Sequence, residues 1–198
     1  MGNCQAGEFA LYYKRIVGLM QGSVYKESRM KKEALLLIDI QNIYFMPGPM
    51  RLHRPHQAAK KAAALLERFR LEGKPIIHVK HHFKMLSDLH KSVKPVKQEK
   101  VIQKEYPSSF LETDLQEYLQ ENKIEKIVVA GMMSHMCVDT TVRACQDYGY
   151  EVVVIEDACA AKSLEFRGKK IDAETVHAVM MASLDGMFAK VMEMEEYV

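Results

Sequence analysis

From about residue 30 onward, short runs of consecutive apolar residues alternate with stretches in which apolar positions recur every three or four residues. "ALLLID" (34–39) reads as a strand buried on both faces. "PIIHVK" (75–80), the short "KVIQK" (100–104), "KIVVAG" (126–131), "EVVVIED" (151–157) and "FAKVME" (188–193) read as further strands. Between them, residues 56–72, "HQAAKKAAALLERFRLE", predict a helix stopped by Gly73, with a solvated face over an apolar one. A second helix starts near Thr113, where Thr113 and Gln116 stand at capping-box spacing; two more cover 137–148, ended by Gly149, and 172–184. Continuous apolar strands separated by helices imply a parallel sheet covered on both faces, an α/β three-layer α/β/α sandwich of the doubly wound kind.

Residues 1–29 show no clear period and read as an N-terminal extension ahead of one domain spanning 30–198. Its "FALYYKRIVGLM" is apolar enough to pack on the body or on a neighbouring subunit. The start, "MGNC", has the glycine of a lipidation signal, but Ala6 stands where that signal needs Ser or Thr.

A chain of 198 residues that is 48% hydrophobic suits one domain with a sizeable core. Four basic and two acidic residues fall within the first 29, leaving 24 of each sign in the body, so no basic footprint for nucleic acid is expected. No apolar run approaches the ~20 residues that span a bilayer, and no membrane partner is expected. Cys4, Cys137, Cys145 and Cys159 form neither a CxxC pair nor a zinc spacing, and no secretory signal is evident, so a reducing cytoplasm is the expected compartment.

In open parallel sheets the ligand crevice lies beyond the carboxyl ends of the strands, near the point where strand order reverses. Three residues fall at such ends. Asp39 closes the first apolar run, where a carboxylate is costly unless paired or partly solvated; it equally fits the cap of a following turn. Cys137 follows the 126–131 strand by a short loop. In the first turn of the next helix its thiolate would be stabilised, but a small buried thiol fits the same position, as it does for Cys145 and Cys159. Lys104 ends a short strand before Pro107. Alone it reads as surface; beside Asp39 and Cys137 it would keep the carboxylate ionised and lower the thiol pKa.

"LLLIDIQN", "KEYPSSF" and "GMMSHMCVDTTVRACQDYGY", with the later "EDACAA", together resemble the isochorismatase-like cysteine hydrolases, a superfamily that includes nicotinamidases and N-carbamoyl amidohydrolases. The resemblance runs from about Met30 to the C-terminus. It implies a six-stranded parallel sheet of Rossmann-type topology and a catalytic triad of Asp39, Lys104 and Cys137. It further implies a cis Met132–Met133 peptide, with the backbone N–H groups of Met133 and Cys137 forming an oxyanion hole. Loop residues near the triad, namely Phe45, His81, Phe110 and Met136 together with Met133, are expected to line a small apolar substrate pocket.

Nicotinamidases of this superfamily hold a metal through an Asp-x-His pair at the end of the second strand. Here that end reads "IIHVKHHFK", without a carboxylate, and the pair Asp88 and His90 comes later, in the charged loop. His78, His81 and His82 are therefore expected to be core, solvated or substrate-contacting groups, and no metal or other cofactor is expected. The activity expected is metal-independent hydrolysis of a C–N bond in a small amide or carbamoyl-type substrate through a thioester. The alternatives are ester or vinyl-ether hydrolysis on the same triad and a catalytically silent binding protein. Relatives commonly assemble with copies of themselves, so a homo-oligomer is expected.

Overall fold

The computed structural model describes residues 31–48 and 50–197; the 1–29 extension lies outside them. In chain order the elements are β1 (Glu33–Ile38), α1 (Pro55–Leu71), β2 (Ile76–His81), β3 (Lys100–Lys104), α2 (Leu115–Glu121), β4 (Lys126–Met132), α3 (Asp139–Asp147), β5 (Glu151–Ala160), β6 (Leu164–Phe166), β7 (Lys169–Ile171), α4 (Ala173–Leu184) and β8 (Lys190–Met192). Six strands form one parallel sheet in the order β3-β2-β1-β4-β5-β8. The chain walks outward from β1 to β3, then returns to the other side of β1 and walks outward again to β8, so the order reverses between β1 and β4.

The alternation of side chains along β1 shows why its apolar run is unbroken. Leu35 and Leu37 enter the core layer shared with Leu65, Leu66 and Phe69 of α1. Leu36 and Ile38 enter the opposite layer with Leu115 and Leu119 of α2, Val142 of α3 and Leu184 of α4. Both faces are buried, which gives the three-layer sandwich. Among the described residues no helix is long and apolar enough to cross a membrane.

Four local expectations are corrected. Thr113 and Gln116 do not form a capping box: helix α2 begins after Asp114, Thr113 Oγ1 donates to the Ser109 carbonyl at 2.6 Å, and Gln116 Oε1 accepts from the Tyr150 hydroxyl at 3.1 Å. Cys137 does not open an α-helix; it sits in a wide π-type turn, Ser134–Val138, that runs into α3. Strand β5 extends to Ala160, past its expected end, with a register shift against β4 between Val129 and Gly131. The antiparallel hairpin β6–β7 has no counterpart in the strand pattern, because its strands are three residues long and largely polar. Its turn places Arg167 and Gly168 at positive φ, 51° and 76°, as a two-residue hairpin loop requires.

The central strands meet tightly at the reversal point. Gly131 of β4 lies opposite Ile38 of β1 with φ of 153°, and a Cβ there would overlap the Ile38 carbonyl oxygen and stand 2.8 Å from its nitrogen. Gly131→Ala is expected to destabilise the fold by about 3 kcal/mol, because backbone rather than a yielding side chain receives the methyl group. A chemical-denaturation midpoint compared with that of wild type checks this.

His78 is wholly buried on β2 and belongs to the scaffold. Its Nε2 lies 2.9 Å from Glu99 Oε2, and Arg70 of α1 grips the same carboxylate at 2.7 and 3.0 Å. Burial raises the Glu99 pKa, but Arg70, the Val96 N–H and His78 outweigh it and hold the carboxyl at about 2. A depressed folded-state pKa stabilises above the unfolded value near 4.5, and that contribution is lost as pH falls toward 2. Urea midpoints measured across that window should fall less steeply for Glu99→Gln than for wild type.

Candidate active site

Three chain segments deliver side chains to the carboxyl edge of the sheet where strand order reverses. Asp39 follows β1 directly. Its N–H bonds the Val79 carbonyl of β2 at 2.9 Å, and its φ of 51° is a left-handed conformation that Asp tolerates better than most residues. Lys104 ends β3 in register with His81, the last residue of β2. Cys137 lies in the π-type turn after β4, where the Met133 carbonyl accepts the N–H groups of Met136 at 3.0 Å and Val138 at 3.3 Å. The Met132–Met133 peptide is cis. A buried pair ties the loop after Lys104 to α3: Ser109 N–H and hydroxyl meet Thr141 Oγ1 at 3.1 and 3.0 Å.

The side chains converge. Lys104 Nζ stands 2.7 Å from Asp39 Oδ2, and donor atoms of Asp39, His81 and Cys137 lie within 4.8 Å of one another. Asp39, Lys104 and Cys137 are 0, 2 and 5% exposed, so their charges act on each other through little water. Burial raises the Asp39 pKa, against the opposing pull of Lys104, Cys137 and His81, whose polar groups face its carboxylate.

The thiol departs from expectation. Burial first, and then the Asp39 charge, push Cys137 up to about 12 in spite of Lys104. The turn that holds it is closed by its own backbone, and the gain expected from a helix start is outweighed by desolvation. Burial and the Asp39 charge both favour the neutral thiol over a preformed thiolate. Burial also raises Cys145, and it pushes Cys159 up to about 12; neither has a carboxylate and an ammonium in contact.

The expected pocket residues scatter more widely. His81 joins the cluster. Met136 is 43% exposed within the turn that holds Cys137, Met133 is buried, and Phe110 packs on Tyr148 with ring centroids 4.9 Å apart in the core layer that contains Cys137. Phe45 stacks on His90 at 3.9 Å and, with His56, Lys80 and Asp88, lines a separate cavity of about 860 Å³ that none of the three converging residues borders. Residues not singled out from sequence also belong here. Tyr44, wholly buried, feels both Asp39 and Cys137, and burial followed by those two groups raises its hydroxyl pKa. Gln41, also wholly buried, bonds the backbone of His81 on both sides. Only the "LLLIDIQN" motif hinted at Gln41.

Among the described residues, Asp39, His81 and Cys137 are the one set of three donors close enough to share a metal ion. The Lys104 ammonium stands within 2.7 Å of one donor and 3.1 Å of another, so this set does not fit a second cation. Asp88 is exposed, His90 Nδ1 is engaged by Ser92 Oγ at 2.8 Å, and His82 is exposed beside Gln103.

Fold and site together define a doubly wound α/β protein with a thiol, a carboxylate and an ammonium buried at its switch point. The isochorismatase domain model matches residues 33–196. An uncharacterized isochorismatase family protein of Bacillus subtilis, YddQ, is 46% identical over 175 residues, covering 83% of this chain and 97% of that protein. The crystal structure of an isochorismatase from Pseudomonas putida superposes with a TM-score of 0.80 at 34% identity, covering 89% of this chain and 95% of the other. A streptothricin hydrolase of Streptomyces noursei is 28% identical over 137 residues, 65% of this chain and 49% of that protein. The chain belongs to the isochorismatase family of hydrolases.

Proposed function

We propose that this protein is a cysteine hydrolase that cleaves a C–N bond of a small amide or carbamoyl-type compound through a thioester on Cys137. The observation that carries the reading is the convergence of Asp39, Lys104 and Cys137 in a nearly dry site, with Lys104 Nζ 2.7 Å from Asp39 Oδ2. A relative named for hydrolysing streptothricin supports hydrolysis in general.

Asp39 is the base. Its raised pKa makes it a better proton acceptor than an ordinary carboxylate, which compensates in part for a thiol pushed up to about 12. It takes the Cys137 proton, and Lys104 stabilises the thiolate as it forms and attacks the carbonyl carbon. The oxyanion is received by the N–H groups of Met133 and Cys137; such a donor is typically worth ~100-fold to ~1000-fold in rate. Collapse breaks the C–N bond as protonated Asp39 returns its proton to the leaving nitrogen. Asp39 then accepts a proton from water, which attacks the thioester; acid is released and the Cys137 thiol is restored.

The test exposes the protein to a panel of small amides, carbamoyl compounds and esters, reading ammonia or acid release and the intact mass. A mass increment that maps to Cys137 and accumulates with a C–N substrate is the expected result. Turnover of esters alone would redirect the reading to ester hydrolysis. Neither adduct nor product across the panel would leave a binding protein that keeps the fold.

A further inference from the structure

The Lys104 ammonium has three protons and no lone pair, so each neighbour must accept from it. It meets three acceptors: Asp39 Oδ2 at 2.7 Å, the Tyr106 carbonyl at 3.1 Å and His81 Nδ1 at 3.1 Å. The last contact fixes the chemistry of His81. Its Nδ1 must be unprotonated, so the neutral ring carries its proton on Nε2. Protonating Nδ1 would set two cations face to face.

His81 is itself held. The Gln41 side chain accepts the His81 N–H at 2.8 Å, donates to the His81 carbonyl at 2.9 Å and donates to the Ser87 carbonyl at 2.6 Å. Gln41 thus continues the sheet by one rung beyond the end of β1, gripping the backbone of the residue whose ring faces the ammonium. On the other side the ring packs against Phe83, with centroids 4.9 Å apart.

We infer that His81 is a positioning residue: gripped by Gln41, it accepts a hydrogen bond from Lys104 and thereby aims the ammonium at Asp39 and Cys137. This rests on the reading of Lys104 and Cys137 given above and differs from the substrate-contacting role expected for His81. Without the acceptor, Lys104 keeps only Asp39 and Tyr106, and its long chain is free to turn away from the sulfur. The thiolate then loses part of its stabilisation during attack, while substrate binding is unaffected.

Two readouts separate positioning from contact. One is alkylation of Cys137 in the full chain by iodoacetamide as a function of pH, followed by mass; the other is the split between kcat and KM on the best panel substrate. His81→Ala is expected to slow Cys137 alkylation about tenfold at a given pH, as a thiol pKa one unit higher would. It should lower kcat about 10-fold to 100-fold with KM nearly unchanged. His81→Asn, whose amide oxygen can stand where Nδ1 does, should recover most of both. An unchanged alkylation profile with raised KM in His81→Ala, or an Asn variant as impaired as the Ala variant, overturns the inference. Lys104→Met serves as the control on the underlying reading. If it leaves Cys137 alkylation unmoved, the triad reading fails and the inference with it. If it slows alkylation while His81→Ala does not, only the inference fails.

Discussion

Replacing Cys137 with alanine is expected to lower kcat/KM by about 10⁴-fold or more on any substrate the protein turns over through a thioester, because no other group can form that bond. Cys145 and Cys159 are buried and have neither the carboxylate nor the ammonium that Cys137 meets, so they cannot substitute. The fold should survive. Removing a small, largely buried sulfur normally costs no more than about 1 kcal/mol, and the unfolding midpoint should stay close to that of wild type. Single-turnover assays with mass detection check both statements; full activity in Cys137→Ala would reassign the chemistry to Asp39 and water.

The second large effect concerns Lys104→Met. It leaves the Asp39 carboxylate fully buried without its counter-ion, and stranding one partner of a buried ion pair typically costs about 3–5 kcal/mol. The loss should depend on pH in a stated direction. Burial already raises the Asp39 pKa, and removal of the ammonium, the leading opposing influence, raises it further. A carboxyl whose folded pKa lies above its unfolded value stabilises at low pH and loses that contribution as pH rises. Lys104→Met should therefore unfold at lower urea at pH 7 than at pH 5, and Asp39→Asn in the same chain should restore stability by removing the stranded charge. Restoration without activity is the expected signature of a pair kept for chemistry. A Lys104→Met protein as stable as wild type at pH 7 would mean that the pair is better solvated than its burial indicates.

Much of this arrangement could be read from residue order, and the failures have physical causes. Doubly buried strands announce themselves as unbroken apolar runs, so the bounds expected for β1 and β4 lie within a residue of those observed. A carboxylate at the end of such a run, as at Asp39, is costly enough to stand out. The thiol pKa could not be read in the same way. A position after a strand and before a helix suggests a helix dipole, but the balance at Cys137 is decided by how much water remains, and that depends on packing from distant segments. Gln41 and Ser109 were missed because their partners lie 40 and 32 residues away, at His81 and Thr141. At α2, Thr113 had the spacing of a cap, but the helix starts after Asp114 and the Gln116 side chain turns to the Tyr150 hydroxyl, 34 residues away, instead of back to the chain.

The absence of a side chain at Gly131 has a consequence beyond the fit of two strands. Because β4 can press its backbone against Ile38, the roots of the Asp39 and Cys137 segments are fastened together at a single spot in the rigid interior. The Asp39 carboxylate and the Cys137 sulfur thus inherit their spacing from the sheet's seam, so that changes in the outlying loops leave the distance between carboxylate and sulfur untouched.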